Sequence, residues 1–280
     1  QFFTKLSKEL FDINQGLFQC TKKLNLMPSP NSINHENYLE YFRFAGRFVA
    51  RSLIEGICID THFTSSFCKQ ILHRVPAMID LVDVDEDLYQ NFEYTLMNKN
   101  VEDLCMVFEV VRNYNGKIVS IPLKENGGEI DVIDENKKEF VDLYVDFILR
   151  KEIEEQIKQF CLGFDELIPH DEIKMFTPNE LDMLICGITN IDVDDFFAHT
   201  YFEYPYNEDH PMIKMFFDVI RKWDNEKLTK LLFFITGATH LPPNGFRGFC
   251  QISGHLMRIQ AGGTSDALPK SHTCFNTLDL

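Results

Sequence analysis

The chain lacks any CxxC pair, any internal repeat, any low-complexity tract, and any window near the ~20 continuous apolar residues of a membrane span. Its eight cysteines, at 20, 58, 68, 105, 161, 186, 250 and 274, follow no regular spacing. A zinc site is therefore not expected, and a reducing compartment fits. Gln1 to Leu10 has no apolar signal-peptide core, so the sequence reads as soluble and intracellular, cytoplasmic or nuclear. Positive charge is also scarce. With 27 basic against 43 acidic residues the net charge is −16, which repels phosphate backbones, so no nucleic-acid partner is expected. A basic or mixed protein surface is the better match.

What is present is apolar and aromatic. Hydrophobic residues make up 45% of the 280 residues and 26 are Phe, enough to fill one large or two modest domains. In "NHENYLEYFRFAGRFVARSLIEG", Tyr38, Tyr41, Phe42, Ala45, Phe48, Val49, Ser52 and Leu53 recur at three- and four-residue steps. That spacing predicts a helix, with Asn34 as a candidate N-cap and Gly56 as the stop. A second long helix is expected from about Glu135 to Leu162, where Phe140, Leu143, Tyr144, Phe147 and Ile148 form one stripe and Gly163 follows.

"LCMVFEVVRNYNGKIVSIPL" carries β-branched residues on both sides of Asn115-Gly116, which predicts a hairpin from Leu104 to Leu123. "FTPNELDMLICG" encodes a helix with both ends marked: Thr177 as N-cap, Pro178 at the first helical position, Glu180 closing a capping box, and Gly187 beyond the end. The acidic "ITNIDVDD" reads as a linker, followed by helices near Met212–Trp223 and Glu226–Thr236. Short β segments are expected through "FCQISGHLMRIQAGG".

The stretch that calls for chemistry is "LPKSHTCFN", residues 268–276. An ordinary intracellular cysteine is a small buried apolar group. His272, Thr273 and Asn276 are poor neighbours for one, because each brings polar atoms that need partners when buried. An exposed Cys274 is the simpler account. An extended chain would set His272, Cys274 and Asn276 on one face and turn Phe275 to the other as an anchor. A free thiol of pKa ~8.5 is only about a tenth thiolate near neutral pH, so a nearby imidazolium would raise the reactive fraction. His272 could equally hold the loop by bonding backbone.

"LPKSHTCFNTLDL" resembles the active-site signature of HECT-type ubiquitin ligases. "FFTKLSKELFDINQGLF", "YFRFAGRFVARSLIEG", "LKENGGEIDVIDENKKEFVDLY", "ELDMLICG" and "LLFFITGA" resemble other family blocks in the family's order. The resemblance implies an α+β, two-lobed fold. A mainly helical N-lobe over residues 1–187 would hold a small hairpin-containing subdomain, about 85–135, that docks the ubiquitin-conjugating enzyme. A smaller α/β C-lobe over 188–280 would carry the cysteine.

The implied activity is a ubiquitin-protein ligase. Cys274 accepts ubiquitin from the conjugating enzyme as a thioester, with His272, Thr273 and Asn276 around it, and passes it to a lysine of a protein substrate. Leu88, Phe92, Leu104, Met106, Phe140 and Tyr144 match the docking groove, although by stripe pattern alone each reads as core. No cofactor or metal is implied. The acid that would activate the lysine has no local motif, and the family's tail residues fall beyond Leu280.

Departures are specific: Ala238 and His240 stand where the family usually has threonine and arginine. "YFEYPYNEDHP" lacks the usual glycine pair, and the first stretch of the N-lobe would precede Gln1. Two rivals remain at this point. One is a cysteine hydrolase, since Cys, His and Asn together resemble papain-like proteases, though such enzymes gather them from distant sequence. The other is a non-catalytic scaffold that binds ubiquitin or its conjugating enzyme.

Overall fold

The computed structural model describes residues 2–114, 116–262 and 268–280. The chain divides into two compact units, Lys8–Arg51 with Thr61–Asp182, and Gln1–Ser7 with Ser52–Asp60 and Met183–Leu280. Among the described residues the strands are β1 (Phe18–Cys20), β2 (Leu26–Pro28), β3 (Glu109–Tyr114), β4 (Lys117–Pro122), β5 (Thr200–Phe202), β6 (Met257–Gln260), β7 (Lys270–His272) and β8 (Thr277–Asp279). No helix among them is long and apolar enough to cross a membrane.

In the first unit, the helix Tyr38–Ile54 buries Phe42, Ala45, Phe48 and Val49, as its spacing requires. Its start differs from expectation. Asn34 closes a 3-10 turn, Pro30–Asn34, and its side-chain amide donates to the Asn31 carbonyl at 2.7 Å. The chain enters the helix instead through Asn37 at φ 59°, a conformation asparagine tolerates. Against this helix lies another, Glu154–Asp165, and the two touch backbone to backbone. A Cβ on Gly46 would sit 1.9 Å from the Phe160 carbonyl oxygen, and one on Gly163 would sit 1.9 Å from that of Arg43. Gly163 is thus a contact residue inside a helix and not a stop. Nearby, Phe67 packs edge-on against Phe160 at 4.8 Å and against Phe63 at 5.0 Å.

The single helix expected over 135–162 is two, Lys137–Leu149 and Glu154–Asp165, separated by the 3-10 turn Lys151–Ile153. Arg150 leaves helical geometry at φ −135° while its guanidinium forks onto Asp146 at 2.6 and 2.8 Å. The Leu149 carbonyl accepts from the buried Gln70 amide at 2.9 Å, so the break leaves no orphan acceptor there. The hairpin is also shorter than expected. β3 and β4 pair antiparallel from Glu109↔Pro122 to Tyr114↔Lys117. Leu104 and Met106 lie before it: Leu104 ends the 3-10 turn Val101–Leu104, and Cys105 at φ 49° turns the chain out of extension. Gly116 occupies the turn at φ 85°, and Asn115 lies outside the described residues.

The helix Pro178–Cys186 begins with the capping box read from sequence. The Thr177 N–H donates to Glu180 at 2.7 Å and the Glu180 N–H to Thr177 Oγ1 at 3.3 Å. The stretch after Gly187, expected as a linker, is packed into the second unit. Ile188 bridges Leu241, Ile191 is buried, and the Asn225 side chain bonds the Ile191 N–H and the Thr189 carbonyl. Helices Pro211–Ile220 and Asn225–Thr236 follow as expected. Of the stretch "FCQISGHLMRIQAGG", expected as short β segments, Met257–Gln260 is strand, whereas "FCQIS" belongs to the helix Gly245–Ser253. The buried residues of that helix pair at helical steps, Gly245 with Gly248 and Phe246 with Cys250, and Gly254 ends it at φ 72°.

The sheet of this unit runs β5-β6-β8-β7. β5, β6 and β8 are parallel, whereas β7 is antiparallel to β8 and forms an edge. Ile213, Phe217, Leu232, Phe246, Ile259 and Leu278 lie at the centre of its core.

Candidate active site

Cys274 is exposed, on the 3-10 turn Thr273–Phe275 that joins β7 to β8. This turn replaces the extended run expected over 272–276, so the two-residue alternation does not form. Phe275 does not anchor the segment. It is 60% exposed, with its ring edge-on to His255 at 5.6 Å. The anchor is Asn276, which is 4% exposed and sits at φ 51°. Its amide donates to Ser253 Oγ at 3.0 Å and to the His255 carbonyl at 3.2 Å, while its own carbonyl accepts from the Arg258 N–H at 2.9 Å. Few side chains other than asparagine combine a tolerated left-handed backbone with an amide that reaches neighbouring polar groups.

Thr273, Cys274 and Asn276 line one cavity of about 370 Å³, together with Cys58, His240 and Phe249. His272 does not line it. It opens on a separate groove of about 310 Å³ beside Leu256, Arg258, Phe275 and Thr277, and its Nε2 lies 3.0 Å from Asp279 Oδ2. Three of the four sequence candidates therefore share a cavity, while the fourth is committed to a buried carboxylate. Asp279 and Gln260, which meet His272 there, escaped the sequence reading. Their only signal is an acid one residue from the buried Leu278 at the end of "NTLDL".

The remaining sulfurs are poorer nucleophiles or lie outside this motif. Burial pushes the Cys58 thiol up to about 11 and the Cys161 thiol up to about 12, and it raises Cys250 as well, so these stay protonated near neutral pH. Cys20 and Cys105 are exposed like Cys274, so exposure alone does not select it. The surrounding Leu-Pro and His-Thr-Cys-Phe-Asn residues do.

The docking candidates separate by burial. Phe92 and Phe140 are core residues, 4% and 3% exposed, stacked edge-on at 6.2 Å. Tyr144 packs edge-on to both, 5.1 Å from Phe92 and 5.6 Å from Phe140. Leu88, Met106 and Tyr144 are partly buried against the same core, and Leu104 is 48% exposed. Five of the six thus form one apolar cluster, with Phe92 and Phe140 as a covered floor and Leu88, Met106 and Tyr144 as its rim, while Leu104 stands outside it.

The sequence profile of the HECT-domain (ubiquitin-transferase) family matches residues 4–280. The chain belongs to the HECT-domain family. It is 38% identical to the E3 ubiquitin-protein ligase pub1 of Schizosaccharomyces pombe, across all of this chain and 37% of that protein. Identity is 39% to the probable E3 ubiquitin-protein ligase hulA of Neosartorya fischeri, covering 100% of this chain and 35% of the relative. For the E3 ubiquitin-protein ligase RSP5 of Emericella nidulans the figures are 38%, 100% and 34%. This HECT domain therefore spans about a third of the length of the curated relatives it matches. Its α+β, two-lobed class agrees with the family.

Proposed function

We propose that this HECT domain works as a ubiquitin-protein ligase through a thioester on Cys274. The observation that carries the reading is an exposed sulfur in the family signature, on a turn that opens into a cavity. The Cys274 thiolate attacks the carbonyl carbon of the ubiquitin thioester on the conjugating enzyme. A new C–S bond forms, the old one breaks, and the conjugating enzyme's cysteine leaves as thiolate. One thioester replaces another, so the step needs little driving force. A substrate lysine amine then attacks the new thioester, forming C–N and releasing the Cys274 thiolate, while the ammonium proton passes to a base. A lysine of pKa ~10.4 is only about one part in a thousand neutral near pH 7.4, equivalent to about 4 kcal/mol, so a positioned base speeds this step.

In this reading residues 1–187 act as the N-lobe and 188–280 as the C-lobe. The rim of Leu88, Met106 and Tyr144 over Phe92 and Phe140, with the exposed Leu104 nearby in sequence, receives the conjugating enzyme on the subdomain of about 85–135 and the helix Lys137–Leu149 that follows it. All eight cysteines are free thiols, which suits the reducing cytoplasm or nucleus. The hydrolase reading loses support because its two helper residues are occupied elsewhere. His272 is bonded to Asp279, and the Asn276 amide is used by Ser253 and His255.

The test mixes the domain with ubiquitin-charged conjugating enzyme and quenches with and without thiol. A thiol-sensitive ubiquitin adduct is expected, abolished by Cys274→Ala and retained when Cys20 or Cys105 is replaced. An adduct that persists in Cys274→Ala sinks the assignment.

A further inference from the structure

The scheme above makes no use of Asp279, yet its side chain is only 11% exposed. Carboxylates are rarely so covered unless paired. Here both oxygens are engaged: Oδ2 lies 3.0 Å from His272 Nε2 on β7, and Oδ1 accepts from the Gln260 amide on β6 at 2.9 Å. In the register His272 pairs with Thr277 and Lys270 with Asp279, so His272 and Asp279 are diagonal neighbours on one face. One side chain on the central strand thus ties down the strands on either side. The chain closes over it at Gly262, where a Cβ would come within 2.0 Å of the Asp279 Cβ.

The edge strand β7 is three residues long and runs directly into the turn that carries Cys274. Such a strand has one neighbour for its ladder, and the helix Asn225–Thr236 packs against it and the turn without fixing the angle at which the chain leaves it. The His272–Asp279 hydrogen bond at its last residue adds a directional constraint there. Because an ionised carboxylate only accepts, Nε2 carries the proton of that bond.

We propose that Asp279 is a positioning residue for acyl transfer at Cys274, acting through His272. It sets the direction in which the turn leaves β7, and so the approach of the sulfur to a bulky thioester donor. The inference rests on Cys274 being the ubiquitin acceptor.

Single-turnover transfer from charged conjugating enzyme is measured for the wild-type domain, Asp279→Ala, His272→Ala and the double variant. Absence of an adduct in the wild type would overturn the ligase reading itself and is read first. Given an adduct, Asp279→Ala should slow the maximal transfer rate on the order of tenfold, with the half-saturating concentration of conjugating enzyme unchanged. His272→Ala should cost a similar factor, and the double variant no more than either. Alkylation of Cys274 by iodoacetamide, which needs only an exposed thiolate, should keep its rate. If the melting curve shows that Asp279→Ala folds poorly, the cycle is run with Asp279→Asn, for which the same non-additivity is expected. A wild-type transfer rate, effects that multiply in the double variant, or an equal fall in alkylation would each overturn the proposal.

Discussion

The two units hold their candidate functional residues by opposite means. In the unit built from Lys8–Arg51 and Thr61–Asp182, five of the six docking candidates are part of a hydrophobic cluster, with Phe92 and Phe140 as its floor. In the unit that ends at Leu280, the candidate nucleophile sits on a three-residue turn fixed by polar contacts, chiefly those of Asn276. Apolar burial is proportional to area and insensitive to direction, so it stabilises a surface without specifying one atom's position. Hydrogen bonds contribute less energy but set angles and distances. A docking rim needs the first, whereas a nucleophile needs the second.

This contrast predicts where substitutions will be felt, and Phe140→Ala should have the largest effect. It removes a buried ring that touches Phe92, Phe108 and Tyr144, so a loss of about 3–5 kcal/mol is expected. Urea unfolding followed by far-UV circular dichroism measures it. A loss under about 1 kcal/mol would show that the cluster relaxes around the cavity and that the floor is not a packed core.

Asn276 probes the polar side of the comparison. Replacing it with Ala removes two donated bonds and sets an alanine at φ 51°, for about 1–3 kcal/mol. Asn276→Gly removes the same bonds without the backbone penalty and should cost less. The prediction is that both slow acyl transfer to Cys274 by a larger factor than their unfolding free energies suggest. Equal transfer rates for wild type and both variants would mean that the turn is positioned by other contacts.

Much of this arrangement was legible in the sequence, for identifiable reasons. Strong periodicity and local capping chemistry act over a few residues, so the helix at Tyr38 and the capping box at Thr177 and Glu180 could be read directly. What failed was set by distant partners. The break at Arg150 depends on Gln70, which takes the Leu149 carbonyl from 79 residues away. Gly163 read as a stop because its role, contact with the Arg43 backbone, has no local signature. At the site, Cys274 was named by its unusual neighbours, but the extended alternation assigned to 272–276 ignored that Asn276 accepts a left-handed backbone. Asp279 went unnoticed because its meaning comes from strand register, which one sequence does not supply.

The smallest expected effect on stability falls on Leu104, and it divides floor from docking surface most cleanly. The side chain is 48% exposed at the end of a 3-10 turn, so Leu104→Ala uncovers little core and should change unfolding free energy by no more than about 0.5 kcal/mol. If the rim and Leu104 together receive the conjugating enzyme, the same change removes contact area from that interface and should weaken binding by roughly 1–2 kcal/mol, about tenfold in dissociation constant. Stability and affinity thus move apart in Leu104→Ala, and they move together in Phe140→Ala, where loss of the floor deforms the rim. Isothermal titration against uncharged conjugating enzyme, with parallel melting curves, reads both quantities. Unchanged affinity in Leu104→Ala would shift the docking surface away from this residue and leave Leu104 an ordinary exposed leucine.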